Sequence, residues 1–148
     1  MVTNGNKNGG YTLLQMINLT DLLSVSAQPA LSDIAALATQ GFTVVVCNRP
    51  DGETEDQHTM EQMKQETEAA GMRFVGYPVT PSTFPGDDLE GLGNTFDRGE
   101  KVFAYCRTGT RSANLWVATR SGTDRDLAAE TARSLGVDLT LVGRLSQK

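Results

Sequence analysis

The stretch VFAYCRTGTRSANLW, residues 102–116, joins an apolar run to a helix-prone segment through a short polar loop. Residues 102–105 have the apolar and aromatic composition of a buried strand. Cys106 follows at once, Gly109 lies in the middle of the loop, and Arg111 stands just before the helical segment. A strand that runs through a glycine-containing loop into a helix predicts an α/β fold with a functional loop at the strand end.

The composition limits the class of protein. A chain of 148 residues fits one domain, and 39% hydrophobic with 21% charged residues is ordinary for a globular protein. The net charge of −5 and the lack of a basic stripe argue against a nucleic-acid partner. No apolar run is long enough to cross a bilayer, so we expect no membrane partner.

The start of the chain and the cysteine count add three expectations. Residues 1–10 are polar and glycine-rich, so we expect a flexible lead-in without a secretory signal, followed by one domain over 11–148. Two cysteines are too few for a disulfide framework and lack the spacing of a zinc site. We therefore expect a cytoplasmic protein with no metal and no cofactor.

Strand and helix patterns alternate from Leu22 onward, which predicts a single α/β domain with a mostly parallel central sheet flanked by helices. The predicted strands cover 22–28, 42–48, 72–79 and 101–105. The predicted helices cover 31–41, 60–71, 87–99, 112–120 and 123–136, with a last half-turn and tail after them. Ser32 and Thr123 are the expected N-terminal caps of two helices, and Gly41 and Gly136 the expected stops.

Three predicted strands end in chemically unusual residues: Asn48 and Arg49 after the second, Val79 and its neighbours after the third, and Cys106 after the fourth. Because parallel strands place their carboxyl ends at the same edge of a sheet, these residues should meet. Open α/β sheets bind ligands at that edge. The sequence therefore predicts one site there, centred on the cysteine.

The segment CRTGTRS, residues 106–112, has the parts that activate a thiolate. The N–H groups and positive dipole end of a helix N-terminus stabilise an anionic sulfur. The backbone amides of Arg107, Thr108, Gly109, Thr110 and the residues up to 112 can surround an anion, with glycine permitting the tight turn. The Arg111 guanidinium offers a planar fork to an oxyanion, and the Ser112 hydroxyl can donate to the thiolate.

The loop after the second strand supplies possible supporting groups. Arg49 could be a second cation lining the anion site, and Asn48 could orient the cysteine loop by hydrogen bonding. Asp51 and Glu53 could instead pair with Arg49 or Arg107 and make this segment a structural brace. Gln28, after the first strand, could face the same edge or form a turn.

The stretches SAQPALSDIAALATQGF (26–42), VVVCNRPDGE (44–53), GMRFVGYPV (71–79) and AYCRTGTRSANLW (104–116) resemble the bacterial beta-lactamase hydrolase-like, phosphatase-like domain family. The resemblance implies the fold of cysteine-dependent dual-specificity and protein-tyrosine phosphatases. It also implies Cys106 as the nucleophile and Arg111 as the oxyanion-binding arginine. A phosphatase-type hydrolase that forms a thiophosphoryl enzyme therefore ranks first among the possible functions, with a small-molecule or phosphorylated substrate.

The loop departs in two ways from the phosphatase signature, in which a histidine precedes the cysteine and five residues separate the cysteine from the arginine. Here Tyr105 replaces the histidine, and only residues 107–110 lie between Cys106 and Arg111. The shorter spacing resembles the CRxGxR loop of rhodanese-like sulfurtransferases. A loop with fewer amides suits a persulfide or a terminal thiosulfate sulfur better than a phosphate. Sulfur transfer through a persulfide on Cys106 is the alternative, and a non-catalytic anion- or phosphopeptide-binding module is another.

Two further residues carry predictions that depend on the function. A phosphatase needs a general acid on the loop after the third strand, and Asp87 is the candidate, with Asp88 next; either could instead cap a helix. Cys47 ends a buried strand near the one that leads to Cys106. We expect it to pack in the core, the alternative being a thiol that resolves an oxidised or persulfidated Cys106 as a disulfide.

Overall fold

The computed structural model describes residues 14–147, so the predicted lead-in over 1–10 lies outside the described residues. The strands are β1 (Met16–Thr20), β2 (Leu23–Ser26), β3 (Val44–Cys47), β4 (Arg73–Gly76) and β5 (Val102–Tyr105). The helices are α1 (Leu31–Thr39), α2 (Met60–Ala69), α3 (Leu89–Phe96), α4 (Thr110–Thr119), α5 (Gly122–Ser134) and α6 (Thr140–Gly143). A 3₁₀ turn over Arg144–Gln147 ends the described chain.

The five strands form one sheet in the order β1-β2-β5-β3-β4. The β2–β5, β5–β3 and β3–β4 ladders are parallel, and only β1 runs antiparallel to its neighbour. The predicted single α/β domain with a mostly parallel sheet is therefore confirmed. No helix among residues 14–147 is long and apolar enough to span a bilayer.

The central strands are buried on both faces, and their side chains alternate between two cores. Val44, Val46, Val102 and Ala104 pack on the side of α3, α4 and α5. The residues between them pack on the side of α1 and α2: Val45, Cys47, Phe103 and Tyr105. This alternation is the pattern expected of inner strands covered by helices on both faces. It also confirms the prediction that Cys47 packs in the core.

The structure corrects the strand count and three helix boundaries. Strand β1 was not predicted, because it is an antiparallel edge strand in which Leu19 alone is fully buried, so its sequence lacks an apolar pattern. Helix α3 is shorter at both ends than the predicted 87–99. Helix α4 begins two residues before the predicted Ser112, and the predicted tail contains the short helix α6.

Both predicted N-terminal caps are wrong, while the predicted stops are confirmed. Helix α1 is preceded by Ala30, whose N–H donates to the Asp33 carboxylate at 2.7 Å, so Ser32 lies inside the helix. Helix α5 begins at Gly122 after the cap residue Ser121, two residues earlier than a cap at Thr123 would place its start. Gly41 and Gly136 have φ of 95° and 89°, the left-handed conformation that ends a helix.

Candidate active site

The carboxyl ends of three parallel strands meet at one edge of the sheet, as predicted. The Val79 carbonyl accepts a hydrogen bond from Arg111 Nη1 at 2.7 Å, and the Asn48 side-chain oxygen accepts one from the Ser112 hydroxyl at 2.8 Å. The Cys106 N–H donates to the Ser26 carbonyl at 3.3 Å. The loop that follows β5 is therefore tied to β2 and to the segments that follow β3 and β4.

Cys106 lies at the base of this loop and is fully buried. The N–H of Gly109 donates to its sulfur at 3.0 Å. Gly109 is also the N-terminal cap of α4, with φ 96° and ψ −19°. The cysteine sulfur therefore lies at the N-terminus of α4 and accepts a hydrogen bond from the backbone amide of its cap residue.

Gly109 cannot be replaced without strain, which gives a first prediction. A Cβ at this position would lie 3.2 Å from the Ser26 carbonyl carbon, and φ is in the left-handed region. We expect Gly109→Ala to lower the free energy of unfolding by about 2–4 kcal/mol, the sum of left-handed strain and overpacking. Urea unfolding measures the change.

Gly99→Ala is the matched control for this prediction. Gly99 has a similar φ of 86°, but its Cβ would meet no atom within 4 Å. The control should cost about 1–2 kcal/mol, the strain alone. Equal losses in the two variants would show that the contact between Gly109 and β2 is unimportant.

Ser112 and Asn48 form a buried pair that holds the loop against β3. The Ser112 hydroxyl donates to Asn48 Oδ1, and Asn48 Nδ2 donates to the Tyr77 carbonyl at 2.9 Å. This arrangement agrees with the predicted orienting role of Asn48. The hydrogen bond from Ser112 to the thiolate, which the sequence suggested, is not formed, because the single hydroxyl proton points to Asn48.

A carboxylate holds the guanidinium of Arg111. Glu53 Oε2 accepts from Nη1 at 2.7 Å and Glu53 Oε1 from Nη2 at 2.8 Å, so the pair is bidentate. The hydrogen bond and charge of Arg111 hold the pKa of Glu53 below its usual range, and Glu53 in turn raises the pKa of Arg111. The sequence predicted that Glu53 pairs with Arg49 or Arg107. It did not predict the contact of Glu53 with Arg111.

Arg49 also contacts Glu53, and its other hydrogen bonds hold neighbouring loops together. Its Nε donates to Glu53 at 3.2 Å, Nη1 to the Gln28 side-chain oxygen at 3.0 Å, and Nη2 to the Thr54 hydroxyl at 3.2 Å. Every nitrogen of this buried guanidinium thus has a partner within the protein. The structure favours the brace over the anion ligand, and it places Gln28 at the site edge.

The remaining predicted residues lie around the loop or apart from it. Arg107 and Thr108 are exposed at the loop surface, and Thr110 is half-buried as the first residue of α4. Asp51 accepts from the Met60 N–H at 2.7 Å and forms no ion pair with Arg49 or Arg107. Across residues 14–147, no three His, Cys, Asp or Glu side chains are grouped to hold a metal ion.

The two candidates for a general acid differ in their surroundings. The Asp88 carboxylate caps α3 by accepting from the Gly91 N–H at 3.0 Å. Asp87 is exposed and takes part in no hydrogen bond or ion pair within the described part of the chain. Residues 80–86, which follow Val79 beside Arg111, contain no carboxyl group. The assignment of Asp87 as an acid stays a prediction.

The depressed pKa of Glu53 gives a second prediction, on stability against pH. A carboxylate whose pKa is lower when folded stabilises the fold above its unfolded pKa of about 4.3, and this stabilisation disappears as the pH falls through the folded value. The wild type should exceed Glu53→Gln in free energy of unfolding at pH 7, and the gap should narrow below about pH 4. Urea unfolding across a pH series measures it.

Glu55→Gln controls for the loss of a negative charge near the loop. Glu55 is exposed and forms no ion pair with any described residue. The free energy of unfolding of Glu55→Gln should stay close to that of the wild type at every pH. If the difference in free energy of unfolding between the wild type and Glu53→Gln does not change with pH, then the ion pair with Arg111 contributes nothing to stability.

The comparisons agree with this geometry. Residues 15–123 match the family model described as beta-lactamase hydrolase-like protein, phosphatase-like domain. The beta-lactamase hydrolase-like protein of Agrobacterium fabrum is 32% identical over 105 residues, which is 70% of this chain and 24% of that protein. That of Xylella fastidiosa is 23% identical over 104 residues, with the same coverage. The chain thus spans about a quarter of the length of these relatives.

Solved structures show the same fold. A Neisseria meningitidis protein described as a candidate phosphatase is 33% identical, with a TM-score of 0.69 over 91% of this chain and 96% of its own. Kinase-associated phosphatase is 15% identical, with a TM-score of 0.68 over 88% of this chain and 90% of its own. The fold is that of protein-tyrosine and dual-specificity phosphatases. The chain belongs to the family of beta-lactamase hydrolase-like, phosphatase-like domains.

Proposed function

We propose that this domain is a sulfurtransferase in which Cys106 carries sulfane sulfur as a persulfide. The observation that carries the proposal is that the side chains around Cys106 are charged and none of them is placed to donate a proton. Its thiol lies at a helix N-terminus beside a fixed arginine, and the carboxyl group in contact with that arginine, Glu53, is held as a carboxylate by Arg111 and Arg49. Such a site can stabilise anions but does not offer a proton.

Sulfur transfer from thiosulfate needs no proton. The Cys106 thiolate attacks the terminal sulfur, the S–S bond of thiosulfate breaks, and sulfite leaves with the electron pair. A nucleophile such as cyanide or a thiol then attacks the outer sulfur of the persulfide, and the Cys106 thiolate leaves. Both leaving groups are stable anions, so a general acid would add little.

Arg111 has donors available for the substrate. Glu53 and the Val79 carbonyl take three of the five N–H groups of the guanidinium, and the guanidinium lies close enough to Cys106 for the two side chains to interact. The exposed Arg107 adds positive charge at the loop surface. These groups suit the sulfonate end of thiosulfate while its terminal sulfur meets Cys106.

Phosphomonoester hydrolysis is the second candidate, favoured by the fold and by the family. Cys106 would attack phosphorus, the alkoxide or phenoxide would leave, and water would hydrolyse the thiophosphoryl enzyme. This path requires an acid worth about 10²–10⁴-fold in rate, a role that Asp87 would have to supply. The four residues between Cys106 and Arg111 also give the loop fewer amides for a tetrahedral phosphate.

Parallel assays of the purified chain test the two functions. We expect thiocyanate from thiosulfate and cyanide, and no phenolate release from an aryl phosphate. Asp87→Asn should leave thiocyanate formation unchanged, since no step requires an acid. Phosphate release that falls about 10²-fold or more in Asp87→Asn, without thiocyanate formation by the wild type, would overturn the proposal in favour of the phosphatase.

A further inference from the structure

Two buried guanidinium groups share one carboxylate beside the loop that follows β5. Arg49 and Arg111 are 5% and 9% exposed, and the Glu53 side chain between them is 20% exposed. The other carboxyl groups of the segment around Glu53 are exposed, so water and salt screen their charges: Asp51, Glu55 and Asp56. Two cations and one anion leave this cluster with a net positive charge.

Glu53 contacts both arginines through its carboxylate oxygens. Oε1 accepts from Arg49 Nε at 3.2 Å and from Arg111 Nη2 at 2.8 Å, and Oε2 accepts from Arg111 Nη1 at 2.7 Å. The hydrogen bonds and charges of Arg111 and Arg49 hold the pKa of Glu53 below its usual range, so the group is a carboxylate at neutral pH. Without Arg49, this negative charge would be opposed by Arg111 alone, in a pair with no net charge.

Hydrogen bonding alone does not explain an arginine at position 49. Its Nη1 donates to Gln28 Oε1 at 3.0 Å, and its Nη2 donates to the Thr54 hydroxyl at 3.2 Å. A neutral amide side chain can make such bonds, whereas a buried guanidinium loses its hydration and needs an anion in compensation. The ion pair that Arg49 forms within residues 14–147 is the one with Glu53. The positive charge of Arg49 therefore acts on Glu53.

We propose that Arg49 is a positioning residue that offsets the charge of Glu53, an inference that rests on the proposed sulfur transfer. Glu53 orients the Arg111 guanidinium, and it also opposes the attraction of that guanidinium for an anion. The charge of Arg49 cancels this opposition. Arg111 is thus held in place and still attracts a doubly charged anion such as thiosulfate.

Titration calorimetry with thiosulfate tests the inference in chains that also carry Cys106→Ser, so that binding is measured without turnover. Arg49→Gln should raise the Kd at least about tenfold, because it removes a positive charge close to a dianion. Arg49→Lys keeps the charge, so its Kd should stay within about threefold of the parent. Combining Arg49→Gln with Glu53→Gln removes one charge of each sign and should recover most of the lost affinity.

Steady-state kinetics with thiosulfate and cyanide give a second readout in chains that retain Cys106. Net charge acts equally on bound thiosulfate and on the transition state. Arg49→Gln should therefore raise KM about tenfold and leave kcat within about threefold. A loss of kcat without a change in KM would show that Arg49 only fixes the geometry of Arg111, and it would overturn the charge offset.

Arg120→Gln is the matched control, because Arg120 is also a partly buried arginine in an ion pair. Its Nη2 lies 2.9 Å from Asp97 Oδ2. Arg120 follows the last residue of α4, whereas Arg111 lies in the first turn, so the two are about 13 Å apart along the helix axis. This separation exceeds the screening length of about 10 Å at 0.1 M salt. The Kd for thiosulfate should stay within about twofold of the parent.

The outcomes separate the charge offset from the proposed function. Equal losses of affinity in Arg49→Gln and Arg49→Lys, or a double variant that binds no tighter than Arg49→Gln, would overturn the charge offset. If Arg49→Gln does not fold alone, the double variant is compared with Glu53→Gln, and equal Kd values for these two would overturn it. The expected pattern of Kd values without thiocyanate formation by the wild type would overturn sulfur transfer and leave the charge offset in place.

Discussion

Replacing Cys106 with serine should abolish the transfer of sulfur from thiosulfate to cyanide, with a loss of at least about 10³-fold in kcat. Serine cannot carry a persulfide, because it has no sulfur atom. Its hydroxyl is also too weak a nucleophile to attack the terminal sulfur of thiosulfate. The smaller oxygen fits the buried position of the sulfur, so the fold should survive. Thiocyanate formation by the purified variant measures the effect.

Anion binding separates loss of chemistry from loss of the site. The Gly109 N–H that contacts the sulfur and the Arg111 guanidinium both remain in Cys106→Ser. Titration calorimetry with thiosulfate should therefore give similar affinities for the variant and the wild type. Unchanged turnover in the variant would exclude Cys106 as the nucleophile. A wild type that binds the anion and turns over neither thiosulfate nor an aryl phosphate would favour the non-catalytic binding module.

Much of the fold could be predicted because it depends on local patterns. The strand with Val44 to Cys47 is a continuous apolar, β-branched run, and such runs occur in strands covered on both faces. Once the sheet is parallel, topology alone brings Asn48, Val79 and Cys106 to one edge. The loop itself was readable because Cys106, Gly109 and Arg111 act within six consecutive residues.

The parts that escaped prediction depend on contacts distant in sequence or on an atypical residue. Glu53 and Arg111 lie 58 residues apart, and Glu53 belongs to a polar loop with several other carboxylates. Nothing local shows which carboxylate reaches the arginine. At α1 the signal was atypical, because Ala30 offers no side-chain cap and the backbone N–H is satisfied by Asp33 from within the first turn.

Replacing the Arg111 guanidinium with the ammonium group of lysine should greatly reduce kcat/KM for thiosulfate. Arg111→Lys keeps the positive charge but loses the planar fork that binds both oxygens of Glu53 and the Val79 carbonyl together. A lysine ammonium that pairs with Glu53 has no second set of fixed N–H donors for the substrate anion. We expect kcat/KM for thiosulfate to fall about 10²–10³-fold, the loss typical of removing a fixed donor to an oxyanion.

Arg107→Lys is the matched control on the same loop, because Arg107 is exposed and forms no ion pair with a described residue. Its backbone amide is unchanged by the substitution, so kcat/KM should stay within about threefold of the wild type. If Arg111→Lys also stays within that range, then charge alone suffices, and the clamp by Glu53 serves stability. A loss confined to Arg111→Lys, with an unfolding midpoint near that of the wild type, means that Glu53 holds the guanidinium in the orientation that receives the anion.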